Sequence, residues 1–147
     1  MKVNAKCCSK ITENLYLGNQ FSTTIVTDVD VMVSIGCKSK SNNPSIINQR
    51  VSVVDSADSD LAPYFTDVTD FIHEHITASK RVLVHCQGGI NRSPTFVIAY
   101  LAKYHMSLQE AIALVTSRRP AARIQPHYMQ QIERWLSEAS PEVQIRS

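Results

Sequence analysis

Residues 85–93, HCQGGINRS, put an imidazole, a thiol, paired glycines and a guanidinium within one loop. The apolar run Val82–Val84 leads in, and a second apolar run, from Pro94, leads out. Gly88 and Gly89 let the backbone turn its N–H groups inward, which makes a concavity for an anion. A helix starting after the loop would aim the positive end of its dipole at the same point. Arg92 adds a planar fork of donors that suits two phosphate oxygens. Cys86, at the mouth of such a cradle, meets positive potential that favours its thiolate. A thiolate facing a bound phosphate is a nucleophile aimed at phosphorus. The Gly-Lys-Ser/Thr of a Walker loop is missing, so this is not a cradle for nucleoside triphosphates. An inert core cysteine beside a glycine turn would need none of His85, Arg92 and Ser93 at these offsets.

The elements that must hold the loop are legible as changes of hydrophobic period. Alternation in ENLYLGN predicts a short first strand ending at Gly18. DVDVMVSIG (28–36) is a second strand, β-branched and stopped by glycine. KSKSNNPS (38–45) is a polar loop, and 46–55 is extended, with a strand finishing at Val54–Asp55. From Leu61 the residues Phe65, Val68, Phe71, Ile72 and Ile76 fall on one helical face, with Pro63 tolerable in the first turn. RVLVH (81–85) has the continuous apolar character of a buried strand, and 94–102 is apolar all round, as a central helix would be. Ser107 and Glu110 form a capping box for a helix to about Val115. Tyr128, Ile132, Trp135 and Leu136 mark a last amphipathic helix, and SPEVQIRS is expected to fray. This order predicts an α/β domain: a small central mixed, partly parallel sheet flanked by helices, with the phosphate-binding loop between a central strand and helix. Ligands in such sheets sit at the carboxyl ends of strands, where His85 stands.

At 147 residues the chain suits one domain, and 44% hydrophobic with 19% charged residues is ordinary for a globular protein. A net charge of +2 is too mild to point to nucleic acid. The start MKVNAKCCSK has no apolar core of a signal peptide, and no run approaches the ~18 apolar residues of a membrane span. Cys7, Cys8, Cys37 and Cys86 show no paired spacing, which favours a reduced, cytoplasmic setting with nuclear access open. Cys7 and Cys8 are expected on an exposed N-terminal arm, and Cys37 is a candidate for protecting Cys86 as a disulfide. Arg118, Arg119 and Arg123 share one loop; they either border the pocket or form a solvated basic patch. The histidines lack metal-ligand spacing.

The pattern His85-Cys86-x-x-Gly89-x-x-Arg92-Ser93 resembles the signature loop of the cysteine-dependent protein tyrosine phosphatases. The surroundings look most like the small, atypical dual-specificity phosphatases. They include Leu15-Tyr16-Leu17-Gly18, an aspartate ending a strand about 30 residues before the cysteine, and Ser93-Pro94 after the loop. The likeness covers roughly residues 10–137 and implies an N-terminal arm (1–9), a catalytic domain (10–138) and a tail (139–147). It further implies a metal-independent, cofactor-free hydrolysis through a cysteinyl-phosphate. In that scheme Cys86 is the nucleophile, and Arg92 binds phosphate together with the backbone of Gln87, Gly88, Gly89, Ile90 and Asn91. Ser93 would hydrogen-bond the departing thiolate, and His85 would order the loop and tune the thiolate. The leaving group needs a proton. The family's acid maps to Asp55, which directly ends the strand, with Asp58 and Asp60 as competitors. Members often carry alanine at Gly88 and serine at Asn91, both positions that act through backbone. Where they commonly have Pro-Asn before the last helix, this chain has Ile124-Gln125-Pro126.

The implied substrate is a phosphorylated protein, a kinase among the options, bearing phosphotyrosine and phosphoserine/threonine. No nucleic-acid or membrane partner is expected, and a monomer is the default. The alternatives are a non-protein ester (phosphoinositide, RNA 5′ end, glycan phosphate) or a non-catalytic phospho-motif binding module. Ile90, standing where phosphoinositide-type loops often carry lysine, argues against lipid. The presence of both Cys86 and Arg92 argues against a module without catalysis.

Overall fold

The structure is a computed structural model, and it describes residues 7–22, 28–37, 43–53, 59–87 and 92–139. Asp55, Asp58, Gly88, Gly89, Ile90, Asn91, the expected strand end at Val54–Asp55 and the tail from 140 lie outside the described residues.

β1 (Cys8–Thr12) and β2 (Leu15–Gly18) form an antiparallel hairpin. Its turn, Glu13–Asn14, uses Asn14 at φ 68°, a left-handed conformation that asparagine tolerates. β3 (Val31–Ile35), β4 (Ile47–Val51) and β5 (Val82–His85) complete a sheet of order β1-β2-β5-β3-β4. β5 lies in the middle, parallel to β2 and β3, and β4 is parallel to β3. The mixed, partly parallel sheet expected from the pattern is therefore present. Its centre is the strand that feeds Cys86, because Val82, Leu83 and Val84 are wholly buried and can sit only between neighbours.

Side-chain alternation divides the strands between two cores. Leu15, Leu17, Val31, Val33, Ile35, Val82 and Val84 face the larger core, which they share with α1 (Ala62–Thr77), α2 (Arg92–Tyr104), α3 (Leu108–Arg118) and α4 (Pro126–Ala139). Cys8, Tyr16, Met32 and Leu83 belong to a second, smaller cluster. The expected helix faces hold: Phe65, Val68 and Ile72 of α1 are buried, with Phe71 and Ile76 packed at the margin. α2 buries every residue from Arg92 to Leu101, so it is the central helix. The capping box of α3 forms, with Glu110 N–H donating to Ser107 Oγ at 3.1 Å. α4 closes on α1 through Trp135, whose ring lies 5.3 Å from that of Phe65 and whose Nε1–H donates to Thr66 Oγ1 at 3.0 Å.

The structure corrects two expectations. The sheet starts with β1, a strand whose polar sequence CSKIT gave no apolar alternation. Cys8, expected on an exposed arm, is wholly buried in that strand, and burial pushes its thiol up to about 11 despite the nearby Arg119. β4 spans Ile47–Val51, and residues 52 and 53 follow it outside any strand.

Candidate active site

β5 ends at His85, so the next residue, Cys86, leaves the carboxyl end of the central strand and remains buried at 2% exposure. α2 begins at Arg92 and brings the chain back. The strand–loop–helix connection folds Ser93 onto Cys86: Ser93 Oγ lies 3.1 Å from the Cys86 sulfur, with Ser93 fully buried. A hydroxyl at that distance can donate to a thiolate and lower the cost of expelling it from phosphorus.

Arg92 is only 8% exposed, an unusual place for a charge. Its Nη1 donates to the Val53 carbonyl oxygen at 2.9 Å, while its Nε–H is buried without a partner. A buried orphan donor costs free energy unless something accepts from it. An anion beside Cys86 would do so. The guanidinium is held in place by Gly36, a residue read in the sequence only as the stop of a strand. Gly36 sits at φ +72°, and a Cβ there would come within 1.8 Å of Arg92 Nη1 and 2.5 Å of the Val53 oxygen. Glycine is required on both counts.

His85 alternates to the face opposite the helices, where it is fully buried beside its register partner Ser34 of β3. Ser34 Oγ lies 2.6 Å from His85 Nε2, and Cys37 Sγ lies 3.6 Å from Nδ1. Burial pushes the imidazole down to about 4, partly offset by a hydrogen bond with the Cys86 backbone. It is therefore neutral at pH 7, a fixed hydrogen-bonding strut rather than a charge. Cys37 meets this strut, a contact its sequence position could not reveal.

That depression has a consequence for stability. Below the unfolded value of 6.5 the unfolded chain protonates this histidine while the native chain resists until about 4. The stabilising contribution of neutral His85 is thus complete above 6.5 and drains away as pH falls through this window, by about 3 kcal/mol in all. Urea unfolding of wild type and His85→Gln between pH 7 and 4 is expected to show the wild-type advantage shrinking with acid. A constant difference across that range would contradict the burial of a neutral imidazole.

Among the three loop arginines the structure separates roles. Arg119 is buried at 3% exposure, its Nη1 donating to Ser9 Oγ of β1 at 3.2 Å, so it ties the α3 exit to the hairpin. Arg123 is exposed and donates to the Pro120 and Ala122 carbonyls, and Arg118 is exposed too, so these two fit a solvated basic patch and Arg119 does not. Of the aspartate candidates, Asp60 is described: its carboxylate accepts from Ala62 N–H at 3.1 Å, turning the chain into α1. Gln87 is exposed, its carbonyl accepting from Gln20 N–H at 3.2 Å. Among the described residues there is no group of three or more His, Cys, Asp or Glu side chains able to hold a metal. No helix is long and apolar enough to cross a membrane. A cleft of about 470 Å³ lies away from Cys86, between the start of α1 and α4, walled by Pro63, Gln131, Arg134 and Trp135.

A cysteine leaving the central strand, an arginine and a serine opening the next helix, and a buried arginine donor without a partner are the arrangement expected of a cysteine-dependent phosphatase. The comparisons agree. The family model for the dual specificity phosphatase catalytic domain matches residues 15–138, and the chain belongs to that family, whose members are phosphoric monoester hydrolases. Protein 123R of Invertebrate iridescent virus 6, which bears a tyrosine-phosphatase name, is 36% identical over 133 residues, covering 88% of this chain and 94% of the viral one. Tyrosine-protein phosphatase vhp-1 of Caenorhabditis elegans is 33% identical over 131 residues, 83% of this chain but 20% of that protein. In three dimensions the crystal structure of human DUSP28 superposes with a TM-score of 0.82 at 22% identity, over 90% of this chain and 94% of its own.

Proposed function

We propose that this chain is a metal-independent protein phosphatase that hydrolyses phosphotyrosine and phosphoserine/threonine through a cysteinyl-phosphate, with a catalytic domain over 10–138 extended backwards by β1. The buried Nε–H of Arg92, which has no hydrogen-bond partner in the protein, carries this reading, because an oxygen of a bound phosphate would accept from it. The Cys86 thiolate attacks phosphorus while the bond to the leaving oxygen breaks, and that oxygen takes the bonding pair and a proton from Asp55. Arg92 and the N–H groups of residues 87–91 hold the equatorial oxygens, where charge is greatest in the transition state. Water then attacks the phosphocysteine and gives its proton to the same aspartate. The sulfur leaves as a thiolate under the Ser93 hydroxyl, which the 3.1 Å contact supports. Val53, whose carbonyl Arg92 holds, lies two residues before Asp55, which favours Asp55 over Asp58 as the acid. The partners proposed from the family are phosphoproteins, met in a reducing, cytoplasmic compartment.

Hydrolysis of a phosphotyrosine peptide by wild type, Asp55→Ala and Asp58→Ala across pH 5–8, with chelator present, tests the assignment. Loss of the acid is expected to lower kcat/KM by about 10²-fold and to flatten its alkaline limb. If Asp58→Ala shows that signature and Asp55→Ala does not, the acid is Asp58. Turnover that disappears with chelator would overturn the metal-free scheme.

A further inference from the structure

We infer that Gln131, on the last helix, is a positioning residue for proton donation, acting as a two-handed clamp on the chain just after the acid segment. Its carboxamide reaches across to residues 59–61 and uses both of its ends. Oε1 accepts from Leu61 N–H at 2.7 Å, and Nε2 donates to the Ser59 carbonyl at 3.0 Å. A side-chain amide that engages a donor and an acceptor of one short stretch fixes both its position and its rotation about the chain axis. Seventy residues of sequence separate the partners, so nothing local enforces the contact.

What lies on either side gives the clamp its purpose. The segment 54–58, which carries Asp55 and Asp58, is entered from Val53 and left through Ser59. Arg92 Nη1 holds the entry by the Val53 carbonyl at 2.9 Å, and Gln131 holds the exit. Both anchors rest on buried scaffolding: Arg92 opens the central helix, and α4 is locked to α1 by the Trp135–Thr66 hydrogen bond and the Phe65–Trp135 ring contact. Just after the clamp, Leu61 is wholly buried, and the Asp60 carboxylate takes the Ala62 N–H. The exit of the acid segment is thus set by α4, an element with no residue in the phosphate loop. Positioning of a proton donor is steep in distance, and a displacement of about 1 Å can cost about 10²-fold.

This inference rests on the proposal that an aspartate of this segment is the acid, and the experiment separates the two. Wild type, Gln131→Met (no hydrogen bonds, similar length) and Gln131→Glu (acceptor kept, donor lost) are compared on a phosphotyrosine peptide and on an aryl phosphate with a strongly acidic phenol. The readout is kcat/KM, because the leaving group departs in the first step. A clamp acting through the acid predicts a loss of about 10-fold on the peptide and under about 2-fold on the acidic phenol, with Gln131→Glu between wild type and Gln131→Met. Gln131→Met in an Asp55→Ala background is expected to add almost nothing, since effects through one group do not add. Equal losses on the two substrates, with a lowered Tm, would reduce Gln131 to a structural contact and overturn the inference; so would no loss at all. The aspartate variants are read separately. If neither Asp55→Ala nor Asp58→Ala discriminates between the substrates, the acid assignment falls and the inference with it; if one of them does and Gln131→Met does not, the inference alone falls.

Discussion

Cys86→Ser is expected to abolish turnover of every substrate, by at least about 10⁴-fold in kcat/KM, while leaving the protein folded. Serine differs from cysteine by one atom, so the buried site loses little packing, and Ser93 Oγ at 3.1 Å can still hydrogen-bond the new hydroxyl. What is lost is the nucleophile: a hydroxyl is far less readily ionised than a thiol, and no general base is poised to activate it among the described residues. His85 cannot serve, because its ring is fully buried, Ser34 and Cys37 lie against its two nitrogens, and burial makes it a weak base. The variant should still bind phosphate esters, because Arg92 is untouched. Single-turnover assays and binding of phosphotyrosine peptide measure the two properties separately. Residual turnover above about 1% would mean that the sulfur is not the attacking atom.

The second large effect is expected at Arg92, and Gly36 is the means of telling why. Arg92→Lys keeps the charge but loses the planar fork, the Val53 tether and the unpartnered Nε–H. A loss of about 10³-fold in kcat, near 4 kcal/mol of transition-state stabilisation, follows from removing a preorganised donor set. Gly36→Ala should reproduce part of it, about 10–10²-fold, without touching the loop. The new methyl would sit 1.8 Å from Arg92 Nη1 and 2.5 Å from the Val53 oxygen, at a φ of +72° that disfavours it further, so the guanidinium must shift. In an Arg92→Lys background the same substitution should cost far less. Full additivity of the pair would show that Gly36 acts on folding and not on the arginine.

How much of this was legible beforehand depended on whether local sequence or distant chain supplied the constraint. The strand–loop–helix around Cys86 and the offsets of Cys86, Arg92 and Ser93 are local, and apolar period, glycine and dipole logic read them directly. So are the α3 capping box and the buried faces of α1 and α2. β1 escaped because CSKIT is held by partners far away, Arg119 on Ser9 and the cluster around Cys8. Strand propensity is largely a matter of such neighbours.

The sequence by itself determined that a cysteine leaves the carboxyl end of a buried strand with Arg92 and Ser93 opening the next helix, since these residues lie within one short stretch. Only the tertiary structure decided what surrounds them. Ser34 and Cys37 on the histidine, Gly36 under the arginine, and Gln131 on the chain leaving the acid segment come from other elements. Their sequence separations range from 48 to 72 residues for His85 and Gln131, and no periodicity encodes a contact at that range. Parallel pairing of β3 with β5 and packing of α4 on α1 bring them together, because buried polar groups must find partners wherever the fold places them.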